Sequence, residues 1–399
     1  MNAVEAELTM YLASTARVRE AVRPRLPGLL GSLDMKAYTA LLDERGLLAL
    51  LGSRAIELAP ESADDVLRSR VQAAMRHARL RALALDTTLR EVVGALEERG
   101  IPALPLKGTM LADRVHGDPG LRPTTDVDVL VPRRQVGAAV DTLGTLGYPP
   151  PTDPAWVEGL PLLHHTFGTG GRASLRVELH WRVHWSEQAF SEELLRASSP
   201  SSDGFRRAAP THELGLLLLI FARDSLYGPR ILADIATWWD RLGDRLPRGA
   251  LDGIVARHRS LRRFLVAGAM CAERFVGVPA GRILTDVAAD ASTRRAVGLA
   301  DPLLVDERSD VFATVMVIDG LLRVGRDKLG FVRRYFLQPL PHVRSLYDLD
   351  DASTAFVAAR RAVHFAGAVV KHSPPMILSA ARSPRRPTLR DLFPEGVPD

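Results

Sequence analysis

The sequence predicts an α+β protein, in which a small mixed sheet is flanked by an N-terminal and a C-terminal α-helical region. Three observations carry this. Leu and Ala recur at helical spacing from near the start to about residue 98. Between residues 101 and 186 the pattern changes to short alternating runs rich in β-branched side chains. From Thr211 to about Lys371 the helical spacing returns. The expected units are 1–99 (N-terminal helical region), 100–197 (α/β core), 211–372 (C-terminal helical domain) and 382–399, a tail with four prolines and little apolar content that is expected to be mobile.

In the N-terminal region, helices are expected over Glu5–Ala21, Asp34–Leu58 and Ser62–Arg99. Ser62 with Asp64 and Asp65 supplies a start for the last of these, and Gly100 a stop. In the core, Ile101–Leu106 and Val127–Val131 read as strands, with short helices at Gly108–Val115 and Arg133–Leu146. Pro161–Gly168 and Ala173–Trp185 read as a hairpin turned at Thr169-Gly170-Gly171-Arg172, where adjacent glycines supply positive φ. Residues 198–210, with the run SSPSSD, read as a loop or linker. Beyond it, helices are expected over Thr211–Leu226 and Arg230–Arg241.

Composition excludes several classes. At 46% hydrophobic and 25% charged, the 399 residues sit at the globular average, so neither disorder nor a fibrous repeat is expected. Lys and Arg exceed Asp and Glu by 52 to 47, a mild bias that suits triphosphates or nucleic acid but decides nothing alone. The single cysteine, Cys271, excludes an internal disulfide and a cysteine zinc cage. MNAVEAELTM does not read as a secretory signal and no run is long enough to span a bilayer, so a cytoplasmic protein with no membrane partner is expected.

The chemistry is concentrated in LPLKGTMLADRVHGDPGLRPTTDVDVLVP, residues 104–132. A strand running through Lys107-Gly108-Thr109 into a helix offers free N–H groups to an anion such as a triphosphate. Asp126 and Asp128 alternate with Val127 and Val129, so both carboxylates project from one face of a strand. Two such carboxylates repel unless a cation lies between them, and an oxygen-seeking Mg²⁺ suits that position. Glu178, between Val177 and Leu179, offers a third carboxylate from a neighbouring strand, and His180 shares its face. Lys107 and Arg122 lie beside the motif as cationic partners for phosphates, though each could instead pair with the aspartates. Glu178 could likewise pair with Arg176 or Arg182. His164, His165, His180 and His184 match no strong zinc spacing, so core or surface roles are their default. Arg68, Arg70, Arg76, Arg79 and Arg81 read as a solvated helix face. No P-loop and no G-x-S-x-G elbow is present.

Gly108-Thr109, then Asp126-Val127-Asp128, then a later strand carboxylate resembles the pattern of the polymerase-β-like nucleotidyltransferase superfamily, which includes kanamycin- and tRNA-modifying enzymes. LPLKG, GLRPTTDVDVLV and VELHW, with Arg230-Ile231-Leu232-Ala233-Asp234-Ile235 farther on, are similar to the bacterial uncharacterised nucleotidyltransferase family over roughly residues 100–345. The resemblance implies a polymerase-β-like nucleotidyltransferase core, an NTP co-substrate and Mg²⁺, with Mn²⁺ as a substitute. It implies Asp126 and Asp128 as ligands. That strand often carries Asp where Glu178 stands, which leaves Glu178 open as third ligand or general base.

The expected activity is transfer of a nucleoside monophosphate, AMP by default, from an NTP to a hydroxyl with release of pyrophosphate. Asp126, Asp128 and Glu178 are the expected catalytic and metal-binding residues. Lys107, Gly108, Thr109, Arg122 and Thr125 are expected on the nucleotide side, His180 and Asp234 on the acceptor side. Asp234 has a second reading, as a brace for the helical region. The acceptor is expected to be a small molecule, peptide or protein, as in accessory enzymes of peptide natural-product pathways. A tRNA-modifying toxin and a non-catalytic nucleotide-binding scaffold are the alternatives.

Overall fold

The computed structural model describes residues 2–149, 163–168, 175–184, 187–303, 309–325 and 351–381, with single positions among 340–349 and at 388–389. The turn expected at 169–172 and most of the tail expected from 382 lie outside the described residues.

The N-terminal third is helical: α1 (Ala3–Ala13), α2 (Ala16–Val22), α3 (Met35–Glu44) and the long α4 (Asp65–Glu98). Asn2 and Glu5 start α1 with a reciprocal capping box, and Asp64 caps α4 by accepting from the Leu67 amide at 2.7 Å. The expected helix over 5–21 is broken at Ser14-Thr15. The one over 34–58 ends at Glu44, and a wide turn (Leu48–Gly52) and a short helix (Ser53–Leu58) follow. Gly46, at φ 62°, takes the left-handed conformation that lets the chain leave the helix there.

The sheet comprises β1 (Leu104–Pro105), β2 (Asp126–Leu130), β3 (His164–Phe167) and β4 (Arg176–His180), in spatial order β1-β2-β4-β3. It is mixed: β2 and β4 run parallel, and β1 and β3 are antiparallel to their neighbours. Strand alternation divides its faces. Val127, Val129, Val131, Val177, Leu179 and Phe167 bury against α4 and α5 (Val136–Thr145). Asp126, Asp128 and Glu178 leave from the other face.

After the sheet come α6 (Ala189–Arg196), a hairpin of β5 (Ser199–Pro200) with β6 (Arg206–Arg207), α7 (Pro210–Arg223), α8 (Pro229–Leu242), α9 (Arg262–Val276), α10 (Ser309–Leu322) and α11 (Thr354–Ala381). Within the segment expected as a loop or linker over 198–210, the structure forms this short hairpin. Its turn is tightened by Gly204 at φ 87° and by Phe205 donating to Asp203, and Arg206 bonds back to Ser198. Leu8 and Leu12 of α1 share one apolar core with Leu218 and Phe221 of α7 and with Leu265 of α9, so the two helical regions pack on each other as well as on the sheet. Arg54 ties them further, donating to Leu12 O and Thr237 Oγ1, both at 2.6 Å. No helix among the described residues is long and apolar enough to cross a membrane.

Glu193 on α6 is a second fastening point. It accepts from Arg257 Nη2 at 2.6 Å, His212 Nε2 at 2.9 Å and His258 Nε2 at 2.7 Å. The Arg257 bond leads in holding the Glu193 carboxyl below the usual range, and the two imidazoles add to it against partial burial. A carboxyl depressed on folding contributes stability above its unfolded pKa, about 4.3 for Glu, and loses it as pH falls. The unfolding midpoint should therefore begin to drop below about pH 5 and keep falling as the pH goes down toward the depressed pKa of the folded state. In thermal melts across that window Glu193→Gln should show a flatter profile than wild type. Equal slopes would remove the cluster as a source of the acid sensitivity.

Candidate active site

The β2–β4 register places Asp128 opposite Glu178, with Asp126 one pleat earlier on the same face. Asp126, Asp128 and Glu178 each present a carboxylate oxygen within 4.8 Å of the other two. Asp128 is buried, while the side chains of Asp126 and Glu178 keep 17% and 14% of their surface exposed, so the cluster is open on one side. Three carboxylates this close repel one another, and this donor set fits an oxygen-seeking divalent cation.

Lys107 brings positive charge to the cluster. Its Nζ lies 3.0 Å from Asp128 Oδ2 and 3.9 Å from Asp126 Oδ2. On the other side, His180 Nε2 lies 3.0 Å from Asp128 Oδ1 and 3.4 Å from Glu178 Oε2. Burial alone would raise the Asp128 carboxyl, but Lys107 and His180 outweigh it and hold the group well below the usual range. The Asp126 carboxyl goes up, because burial and the neighbouring Asp128 charge exceed what Lys107 returns. Glu178 goes down against its burial, through the His180 hydrogen bond and the charge of His164. His180 rises despite its own burial, held protonated by Asp128 and Glu178.

The Lys107-Gly108-Thr109 turn packs against the start of β2 and sends the Lys107 side chain to this cluster. Gly108 has φ 75°, and a Cβ there would approach the Asp126 carbonyl oxygen to 3.5 Å. Thr109 starts a short helix (Thr109–Leu111) that continues as a wide turn to His116, and Thr125 is exposed at the entry to β2. The structure thus gathers Lys107, Gly108, Asp126, Asp128, Glu178 and His180 around one sheet face.

Arg122 and Asp234 are brought together elsewhere. Asp234 is fully buried on α8 and accepts from Arg122 Nε at 3.0 and 2.8 Å, and its Oδ1 lies 2.9 Å from His116 Nε2. Arg122 also donates to Thr124 Oγ1 at 3.3 Å. Burial would raise the Asp234 carboxyl, yet Arg122 and His116 keep it depressed. The pair fastens the loop before β2 to α8 through Arg122 Nε.

Three residues that sequence reasoning misses take part in or brace the site: Arg230, His116 and His164. Arg230, an exposed side chain at the start of α8, donates to Pro123 O at 3.2 Å and lies close enough to Asp126 for their charges to interact. Its signal is its place four residues before Asp234, one turn away on the same helix. His116 gives no signal apart from the fold. His164, expected as a core or surface histidine, pairs with His180 across β3 and β4, and its Nε2 lies 3.8 Å from Glu178 Oε2. Glu178 therefore leans on histidines rather than on Arg176 or Arg182. Arg182 donates instead to Gln188 Oε1 at 3.1 Å. His165 and His184 pack against Trp181 and Phe264 with ring centroids 4.6 and 4.1 Å apart. Of the arginines on α4, Arg79 pairs with Asp118 and Arg70 donates to Thr39 Oγ1 at 3.2 Å, so that face is partly used in packing.

Comparison with curated proteins and with solved structures finds no match. The family described as "Uncharacterised nucleotidyltransferase" matches residues 31–277. The match takes in α4, the whole sheet and α8, and begins well before the segment of the sequence motifs. With more than half of its length in that match and the motif carboxylates converging on one sheet face, the chain belongs to the uncharacterised nucleotidyltransferase family.

Proposed function

We propose that the chain moves a nucleoside monophosphate, AMP by default, from an NTP to a hydroxyl of a small molecule, peptide or protein. The observation that carries this is the convergence of Asp126, Asp128 and Glu178 on an open sheet face, with Lys107 against them. Those carboxylates would hold Mg²⁺ or Mn²⁺. When bound, the cation supplies Lewis-acid charge to phosphate oxygens.

The chain's own residues account for the rest. Gly108, at φ 75°, takes a conformation that L side chains rarely adopt and so shapes the turn that would receive a triphosphate. Lys107, lying against Asp126 and Asp128, turns to the phosphate oxygens once a cation takes over those carboxylates. Arg230, exposed beside Asp126, is the second cation on that side and takes the phosphate role expected of Arg122. The acceptor oxygen bonds to the α-phosphorus as the bond to the β-phosphate bridge breaks, and pyrophosphate leaves with that electron pair. The hydroxyl proton passes to a carboxylate with an exposed edge, Asp126 or Glu178.

The test is incubation of the full chain with α-labelled NTP and Mg²⁺ against pools of small molecules, peptides, proteins and bulk RNA. Label should appear on a non-RNA acceptor in step with released pyrophosphate. Label on RNA would replace the acceptor class. Tight NTP binding with no transfer to any pool would leave a nucleotide-binding scaffold.

A further inference from the structure

Glu178 belongs to two donor groups. One is the all-oxygen set with Asp126 and Asp128; the other is His164, Glu178 and His180, whose ligand atoms also lie within 4.8 Å of one another. The second group is a product of strand pairing. His164 and His180 face each other across β3 and β4, and Glu178 lies one pleat away on the same side. The two imidazole rings stand 4.6 Å apart, centroid to centroid.

The separations suit a metal. His180 Nε2 is 3.4 Å from Glu178 Oε2 and 3.0 Å from Asp128 Oδ1, and His164 Nε2 is 3.8 Å from Glu178 Oε2. Ligand atoms about 2.0–2.1 Å from a tetrahedral ion lie roughly 3.3 Å from one another. The three distances bracket that figure. Neither Nδ1 has a hydrogen-bond partner among the described residues, so it is the Nε2 atoms that face these carboxylates, and ligation by His180 would displace the proton it holds between Asp128 and Glu178. Two imidazoles are poor company for Mg²⁺, which seeks oxygen and water, and good ligands for a borderline first-row cation.

We propose that His164, Glu178 and His180, with Asp128 at the edge, form a second cation site selective for a borderline divalent ion of the Zn²⁺ type. It adjoins the oxygen-only site of Asp126 and Asp128, sharing Glu178 with it and touching Asp128. Two unlike donor sets side by side give the two positions different ion preferences. The site stands on the donor geometry alone.

The experiment uses the full chain, stripped by chelator and dialysed with Zn²⁺ in a large excess of Mg²⁺, with bound zinc measured by elemental analysis. Co²⁺ substitution follows the same site by its visible absorption. Wild type should retain one zinc per chain, and the cobalt band should indicate mixed nitrogen and oxygen ligation. His164→Ala, at a partly exposed ring, should weaken zinc by more than about tenfold, since even outer-shell changes cost that much. Asp126→Asn should keep zinc. His180→Ala is the harsher variant because that ring is buried, so His164→Ala with an unchanged circular dichroism spectrum decides the matter. No zinc retained by wild type, or equal retention and an identical cobalt spectrum in His164→Ala, overturns the proposal. Zinc retained in a chain that transfers no nucleotide supports the site and removes the reaction, whereas Mg²⁺-dependent transfer without zinc does the reverse.

Discussion

Asp128→Asn is expected to reduce nucleotidyl transfer by about a thousandfold or more, a loss of some 4 kcal/mol of transition-state stabilisation. The size follows from position. Asp128 is the central carboxylate, with one oxygen toward Lys107 and the other toward His180, and it is the only one of the three with no exposed side-chain surface. An amide keeps the shape but removes the charge that a divalent cation needs, and it leaves Lys107 to face Asp126 alone. A second readout needs no acceptor. Ligand present at about a hundred times its dissociation constant stabilises the folded chain by roughly 2.7 kcal/mol, visible as a rise in unfolding temperature. That rise with NTP and Mg²⁺ should vanish in Asp128→Asn while the melt without ligand stays cooperative. Wild-type turnover together with a wild-type thermal shift in the variant would end the catalytic assignment.

How much of the fold and site is legible in the sequence depends on range. The alternation in Asp126-Val127-Asp128-Val129 is local, and strand geometry alone sends both aspartates to one face, so the sequence suffices to place the pair. The partnership with Glu178 requires knowing that β2 and β4 are parallel neighbours in one particular register. Periodicity specifies a strand and its faces but not which strand lies beside it. The same blindness hides His164. Sixteen residues of sequence separate it from His180, a spacing that matches no metal motif, yet antiparallel pairing puts the two rings together. Arg122 shows the same limit of range. Its closeness to the motif in sequence suggests phosphate contact, whereas α8, more than a hundred residues on, delivers Asp234 onto it. The helix expected over 34–58 fails for a local reason, because Gly46 adopts a left-handed conformation that hydrophobic spacing does not register.

Asp234→Ala is expected to cost about 3–5 kcal/mol of stability, a large share of the 5–15 kcal/mol that holds a typical domain folded. The cost is that of the charge left behind. Arg122 is 6% exposed, and with Asp234 gone its guanidinium loses the charged hydrogen bond that Nε–H shares between both carboxylate oxygens while remaining out of water. His116 loses its partner in the same step. In urea unfolding the midpoint should fall by about 1–2 M with little change in slope. A control separates the charge from the packing. Replacing both members, Arg122→Met with Asp234→Leu, removes the buried ions together and should be markedly less damaging than either single change, since well-packed apolar side chains often substitute for such a pair at little cost. If Asp234→Ala were as stable as wild type, the buried pair would not be what binds α8 to the loop before β2. The consequence reaches the site, because Pro123, Thr124 and Thr125 link Arg122 directly to Asp126. An intact fold in the double variant, with weakened metal or NTP binding, would show that the brace positions the first carboxylate as well as stabilising the chain.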